Sequence, residues 1–464
     1  MKKIISYELN EVSWKVIDFY INNRTKSNLE KILQSSHQFT TYTRDTEELH
    51  PWSTWPTMHR GVYNDFHDIR FINQDLSSSY KYPPVWDFLI KSGFSVGIFG
   101  SLQSGGANYS KNYKFHIPDT FYKDSKTNPK KYERFQKFNH DQTKKNRAIS
   151  STITILDALK TFGLFSNGLS ALSSYKIFKH LILEKNDINN KSLRPMLQAY
   201  ISFDVFKDCM KNNKPDFVTF FTNHVAGIMH RYWKYSFPED FDGNLNNNKL
   251  YSFHKNSILK AMDIVDDHLG FLFNFSKQNN YDLIVSSSMG QEAIDRGEYI
   301  PEIKIDNFDK FKTKIEFVKF VKMNMAMQPD VAFEFSNNDD LKKFKKVLLS
   351  LTDSDKNYIF KSEYNSKKLT LNLKLLRSKI LAEDKKIIYN NKPFQIDDFG
   401  LTIFNRDIGT GYHQPYGIII WNNDLEFQQQ DRRQVDTCDF SPTLLDHYNL
   451  DYPDYMGDII WSKK

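Results

Sequence analysis

The sequence predicts an α/β protein built on one doubly wound, mostly parallel sheet with helices on both faces. Three observations carry this: short apolar runs of strand length recur along the chain, helix-periodic stretches alternate with them, and each run empties into a polar loop. In sheets of this kind ligands bind beyond the carboxyl ends of the strands, so those loops are the first place to look for chemistry.

Ile4 to Tyr7 reads as a buried strand, and the spacing of Val12, Val16, Ile17 and Tyr20 predicts an amphipathic helix after an acidic loop. Val85 to Lys91 reads as a helix stopped by Gly93, and Phe94 to Phe99 as the next strand. Phe217 to Phe221 is a strand entering Thr222-Asn223-His224, and a helical pattern from Ser257 to Ser276 leads to a strand at Leu283 to Ser287. Tyr416 to Trp421 returns to the sheet, and Ser441-Pro442 caps a closing helix from Thr443 to Tyr448. No repeat of solenoid length is present.

Two stretches depart from this alternation. The first is basic and then helical, with Ile149, Ile153, Leu156 and Leu159 at helical spacing; it suits a cap over the site. The second holds a strand at Asp330 to Phe335, a helix at Leu341 to Leu351 and an alternating run at Lys368 to Leu373, hence a small α+β element. The expected organisation is 1–112 core, 113–194 basic and helical insertion, 195–310 core, 311–389 α+β insertion and 390–464 closing core.

Of the 464 residues 40% are hydrophobic and 15% aromatic, which excludes a disordered chain. The net charge of +7 is too small to imply nucleic acid. Lys123 to Arg147 is the densest basic stretch and suits a solvated insertion, an anionic substrate or peripheral contact with a membrane surface. Cys209 and Cys438 are too few and too isolated for a disulfide framework or a zinc finger. The apolar run after Lys2-Lys3 is too short for a signal segment and no stretch reaches spanning length, so a cytoplasmic location is the default expectation. Nothing in the sequence speaks to oligomeric state.

Five loops gather acids, hydroxyls, imidazoles and amides: Glu8-Leu9-Asn10-Glu11, Trp52 to Gly61, Thr222 to Trp233, Ser286 to Gln291 and Gly411 to Gln414. Thr54, just before Trp55-Pro56, reads as a helix N-cap whose hydroxyl stands where free N–H groups favour an anion. Such a hydroxyl can attack phosphorus or sulfur once a base or cation activates it. Trp14, Trp52, Trp55, Tyr232, Trp233 and Tyr412 offer ring faces for a base or sugar, or core material.

In this order the motifs resemble the alkaline phosphatase superfamily, in particular its nucleotide pyrophosphatase/phosphodiesterase branch. The resemblance puts Glu8 at the strand-end metal ligand, where that branch usually has Asp. It makes Thr54 the nucleophile before Trp55-Pro56, followed by His59, Gly61, His67 and a substrate-contacting Asn73. Gly411 and His413 match the late Gly-x-His, and Pro442-Thr443-Leu444-Leu445, Pro453 and Gly457 match the closing segment. Two departures argue against a standard two-zinc site. Ser287-Ser288-Met289-Gly290 stands where active members have Ser-Asp-His-Gly, and Ala226 stands where the Asp of Asp-x-x-x-His belongs, although His230 fits the histidine. Glu8, His224, His230 and His413 remain as ligands for one divalent ion, zinc or manganese.

The resemblance implies a phosphodiesterase- or phosphotransferase-like enzyme with a remodelled site. Its opening loops also resemble a divergent group associated with bacterial surface-polysaccharide genes, which implies a nucleotide-activated sugar or a glycan phosphoester as substrate. Asn10, His67, Asn73, Asn223, Ser288, Gln291 and Gln414 are the expected substrate contacts. A second reading is a metal-independent transferase, such as a glycosyltransferase, with Glu8 or His59 as general base and Asn223, His224, Gln291 and Gln414 on the nucleotide sugar. A third is an inactive homologue that keeps the pocket for a ligand.

Overall fold

The computed structural model of the chain describes residues 2–461 apart from 73, 145–166, 243–248, 298–301, 317–321, 326–330, 366–368, 377, 405–408 and 424–428. Two compact units emerge: Met1–Arg70 with Asp75–Ile294 and Gly409–Lys464, and Phe71–Gln74 with Asp295–Ile408.

The larger unit is organised by a sheet whose strands include β1 (Lys3–Leu9), β2 (His37–Tyr42), β3 (Val96–Phe99), β4 (Tyr113–Ile117), β5 (Phe217–Thr222) and β6 (Tyr281–Ser287). The eight strands run in the order Gln434–Asp436, β2, Ile418–Asn422, β6, β1, β5, β3, β4. β1 pairs in parallel with both β5 and β6, and Ile418–Asn422 runs antiparallel to β2 and β6. This is the doubly wound, mostly parallel sheet expected.

Alternation along each strand feeds two cores, as period-two side-chain geometry requires. Ile5, Tyr7, Val218, Phe220, Leu283 and Val285 enter one, packed with apolar residues of the helices Pro195–Asn212, His224–Ser236 and Ser257–Asn279. Ile4, Phe217, Ile284 and Ile419 enter the other, with those of Pro51–Arg60, Val85–Lys91 and Phe440–His447. A sheet covered on both faces has continuously apolar strands, hence their legibility. Each fully buried Phe or Leu stabilises by roughly 1.5–3 kcal/mol.

The register sets the site. Glu8 lies opposite Phe221 of β5 and Ser286 of β6, and Leu9 opposite Thr222, so the three carboxyl ends come level.

The smaller unit holds a four-stranded antiparallel sheet, order Phe360–Asn365, Thr370–Leu375, Val331–Glu334, Lys322–Met325. The helix Asn338–Leu348 shares its core through Leu341, Phe344 and Leu348, and its N-cap Asn337 accepts from the Asp340 N–H at 2.9 Å.

Two expected boundaries move. Tyr113–Ile117 is not the start of an insertion: it pairs in parallel with β3 at the sheet edge, so the core runs past 112. The α+β element is wider than 311–389, because Glu302–Ile305 pairs with Leu401–Phe404 and both belong to the smaller unit. The helical spacing of Ile149 to Leu159 lies outside the described residues. Cys209 and Cys438 are buried free thiols.

Candidate metal centre and its surroundings

The turn after β1 carries the central acid. Glu11 is 3% exposed and holds φ at 60°, a left-handed conformation unusual for a residue with a long side chain and the kind of local strain that accompanies functional sites. That turn aims the carboxylate at two imidazoles. His230, on the helix His224–Ser236, places Nε2 2.9 Å from Glu11 Oε2. His413 is brought in by the strand Gly411–Gln414, which pairs antiparallel with Gly290–Ala293 and sets His413 opposite Gln291. Its Nε2 lies 3.4 Å from the same oxygen without hydrogen-bond alignment, and both its ring nitrogens are buried with no hydrogen-bond partner.

One ligand atom from each of Glu11, His230 and His413 lies within 4.8 Å of the others. Two imidazoles and a carboxylate form an N/O donor set suited to zinc or manganese, and His413 Nε2, buried beside Glu11 without an aligned hydrogen bond, is the ring nitrogen open to an ion there. The groups behind them fix their orientation. His230 Nδ1 donates to the Gly411 carbonyl at 2.9 Å, leaving Nε2 toward Glu11. Asn10 Nδ2 donates to Glu11 Oε1 at 2.9 Å, and Gln291 Nε2 donates to Glu11 Oε2. Such contacts hold ligands in place. Burial alone would raise the Glu11 carboxyl, but His413 and His230 outweigh it and hold it well below its ordinary value. Burial pulls His413 down, yet the Glu11 carboxylate beside it leaves the ring raised.

Glu8 and His224, expected as ligands, stand elsewhere. Glu8 lies inside β1, and its Oε1 meets His59 Nε2 at 2.8 Å with both side chains buried; Oε2 has no partner. His224 is locked into the core: Nε2 donates to the Ala261 carbonyl at 3.0 Å, so Nδ1 accepts from the Thr222 hydroxyl at 2.8 Å. Burial pushes its pKa down to about 4. His224 and His230 are six residues apart, roughly 240° around the helix, and cannot both face one ion.

Thr54 is not an N-cap. The helix begins at Pro51 with His50 as cap, because Pro51 is pre-organised for the first helical position. The N–H groups of Ser53 and Thr54 donate to the His50 carbonyl at 3.0 Å, so the anion cradle expected at Thr54 is absent. Its hydroxyl is buried and 2.8 Å from that of Ser288. The helix is nonetheless tied to the metal group. Trp55 Nε1 donates to Asn10 Oδ1 at 2.8 Å, and the His50 ring stands edge-on to His413 with centroids 5.8 Å apart.

Among the expected substrate contacts, Asn10 and Gln291 support Glu11 as described, and Asn223 Oδ1 accepts from Asn10 at 2.6 Å. Ser288 faces Thr54. His67 is an internal strut: its Nδ1 accepts from the Ile69 N–H, so Nε2 donates to Thr57, whose hydroxyl donates to Asp45. Gln414 closes on Tyr416, donating to its carbonyl at 3.0 Å, and lines a cavity of about 600 Å³ with Gln291, Trp14, Lys15 and Tyr416. Asn73 lies outside the described residues. Glu11 is the residue that the sequence reading passed over as a ligand, although it stands in a loop singled out for its acids.

No family model matches the chain, and no curated protein does. Solved structures do match. Murine ectonucleotide pyrophosphatase/phosphodiesterase 5 is 11% identical, with 98% of each chain covered and a TM-score of 0.43. The human protein of the same name is 10% identical, covering 99% of this chain and 98% of its own, TM-score 0.44. The alkaline phosphatase PafA is 12% identical with the same coverage and a TM-score of 0.47.

Proposed function

We propose that the protein is a phosphoester-processing enzyme, hydrolase or transferase, of the alkaline phosphatase superfamily type, and that it works with one divalent ion held by Glu11, His230 and His413. The observation that carries this reading is the convergence of those three side chains at the carboxyl edge of a parallel sheet. They are held there by Asn10, Gln291 and the Gly411 carbonyl, and His413 Nε2 faces the Glu11 carboxylate at 3.4 Å without an aligned hydrogen bond.

A bound ion would act as a Lewis acid toward a phosphoryl oxygen. The chain supplies the rest. Thr54 offers the hydroxyl nucleophile, oriented by its hydrogen bond to the Ser288 hydroxyl at 2.8 Å. Trp55 and Asn10 couple that helix to the ion's carboxylate. The cavity lined by Trp14, Lys15, Gln414 and Tyr416 has the size and the mix of rings and polar groups to receive a nucleotide-activated sugar or a glycan phosphoester.

One observation favours a second reading, the metal-independent transferase: Glu8 and His59 form a buried carboxylate–imidazole pair with one Glu8 oxygen unpartnered. Turnover of bis(p-nitrophenyl) phosphate and of nucleotide sugars, with and without chelator, separates the two. The metal reading expects activity that chelator removes and zinc or manganese restores, and that Thr54→Ala abolishes with folding intact. Full activity in chelator, lost in Glu8→Gln, would replace it with the second.

A further inference from the structure

The helix Ala171–Asn186 packs Ile177 against the core but leaves much of its apolar surface in solvent: Leu172, Tyr175, Phe178, Ile182 and Leu183 are 64%, 61%, 63%, 44% and 42% exposed. Its buried residues are Ser173 and Glu184. At 100° per residue Leu172, Tyr175 and Ile182 fall on one stripe, with Phe178 and Leu183 on its flanks. The opposite face is held largely by polar contacts. Glu184 takes a two-pronged ion pair from Arg194 at 2.8 and 2.6 Å, and Lys176 reaches Asp267 at 3.0 Å. Among the described residues nothing covers this apolar stripe.

Charge and shape indicate the occupant. Lys179 lies within the exposed stripe and Lys185 is exposed near its end. Asn167, just before the helix, donates from Nδ2 to the Lys131 carbonyl at 2.6 Å, anchoring the helix start to the basic segment where Lys126, Lys130 and Lys137 are exposed. A 16-residue helix is about 24 Å long, and its footprint in a plane is about 10 Å wide. It suffices for a helix lying in the plane of a bilayer, with rings and aliphatics at the acyl boundary and lysines among anionic headgroups.

We propose that this face docks the protein on anionic phospholipid surfaces, with Phe178 and Ile182 as the inserting residues and Lys179 and Lys185 as the headgroup contacts. The inference is independent of the metal centre and of the reaction assigned to it.

The test is co-sedimentation of the full chain with phosphatidylcholine vesicles, with and without about 30% phosphatidylserine. Wild type should pellet with the anionic vesicles only, and Phe178→Asp with Ile182→Asp should bind at least about ten-fold more weakly. Lys179→Glu with Lys185→Glu should weaken binding at low salt and leave little salt dependence. Both pairs alter exposed side chains, so circular dichroism and thermal midpoints should match wild type. Wild type remaining in the supernatant with either vesicle would overturn the proposal, as would equal binding by the Asp pair. So would a wild-type dimer that the Asp pair converts to monomer with no vesicle binding, which would assign the face to a second copy.

Discussion

Two clusters at the carboxyl edge of the same sheet are built from the same materials and have opposite character. In one, Glu11, His230 and His413 converge, propped from outside by Asn10, Gln291 and Gly411. In the other, donors have turned to each other: Glu8 to His59 and Thr54 to Ser288. The difference lies in what the loops supply: beside Thr54 the chain offers Ser288 and Met289, neither a strong ligand, whereas Glu11 stands between two imidazoles.

This contrast can be broken most severely at Glu11. Glu11→Gln should cut metal affinity by on the order of 100-fold and take most turnover with it, whereas Glu8→Gln should leave metal content unchanged. Thr54→Ala should abolish turnover of a phosphodiester at unchanged metal content, which would separate the nucleophile from the ion.

Smaller effects sharpen the comparison at the histidines. His224→Ala should keep the metal but lower stability by about 1–3 kcal/mol, since Thr222 and the Ala261 carbonyl lose their buried partner. The pH dependence has a definite sign. His224 has a folded pKa of about 4, below the roughly 6.5 of an unfolded histidine. Its contribution is therefore complete above about 6.5 and is lost as pH falls through 4. Between pH 7 and 4.5 the thermal midpoint of wild type should fall more than that of His224→Gln, and equal slopes would refute the buried neutral ring.

The sheet was legible because β1, β5 and β6 are apolar on both faces. His37–Tyr42 was not: its sequence is largely polar, and its burial comes from pairing with Ile418–Asn422 and Gln434–Asp436, nearly four hundred residues away. Of the three converging residues, His230 and His413 stand in segments that the sequence marks by their imidazoles and amides. Glu11 is not so marked as a ligand, because its carboxylate is aimed by a left-handed backbone turn that nothing in a Glu codon position announces. The six-residue spacing of His224 from His230 on one helix sets the two rings on different faces. Thr54 is not a cap because Pro51 starts the helix earlier, with His50 as cap.

The central claim is a single ion on Glu11, His230 and His413, and elemental analysis of chelator-free protein tests it most directly. About one equivalent of zinc or manganese is expected in wild type and in Glu8→Gln, and almost none in Glu11→Gln. Metal absent from wild type, or lost in Glu8→Gln while retained in Glu11→Gln, would contradict it.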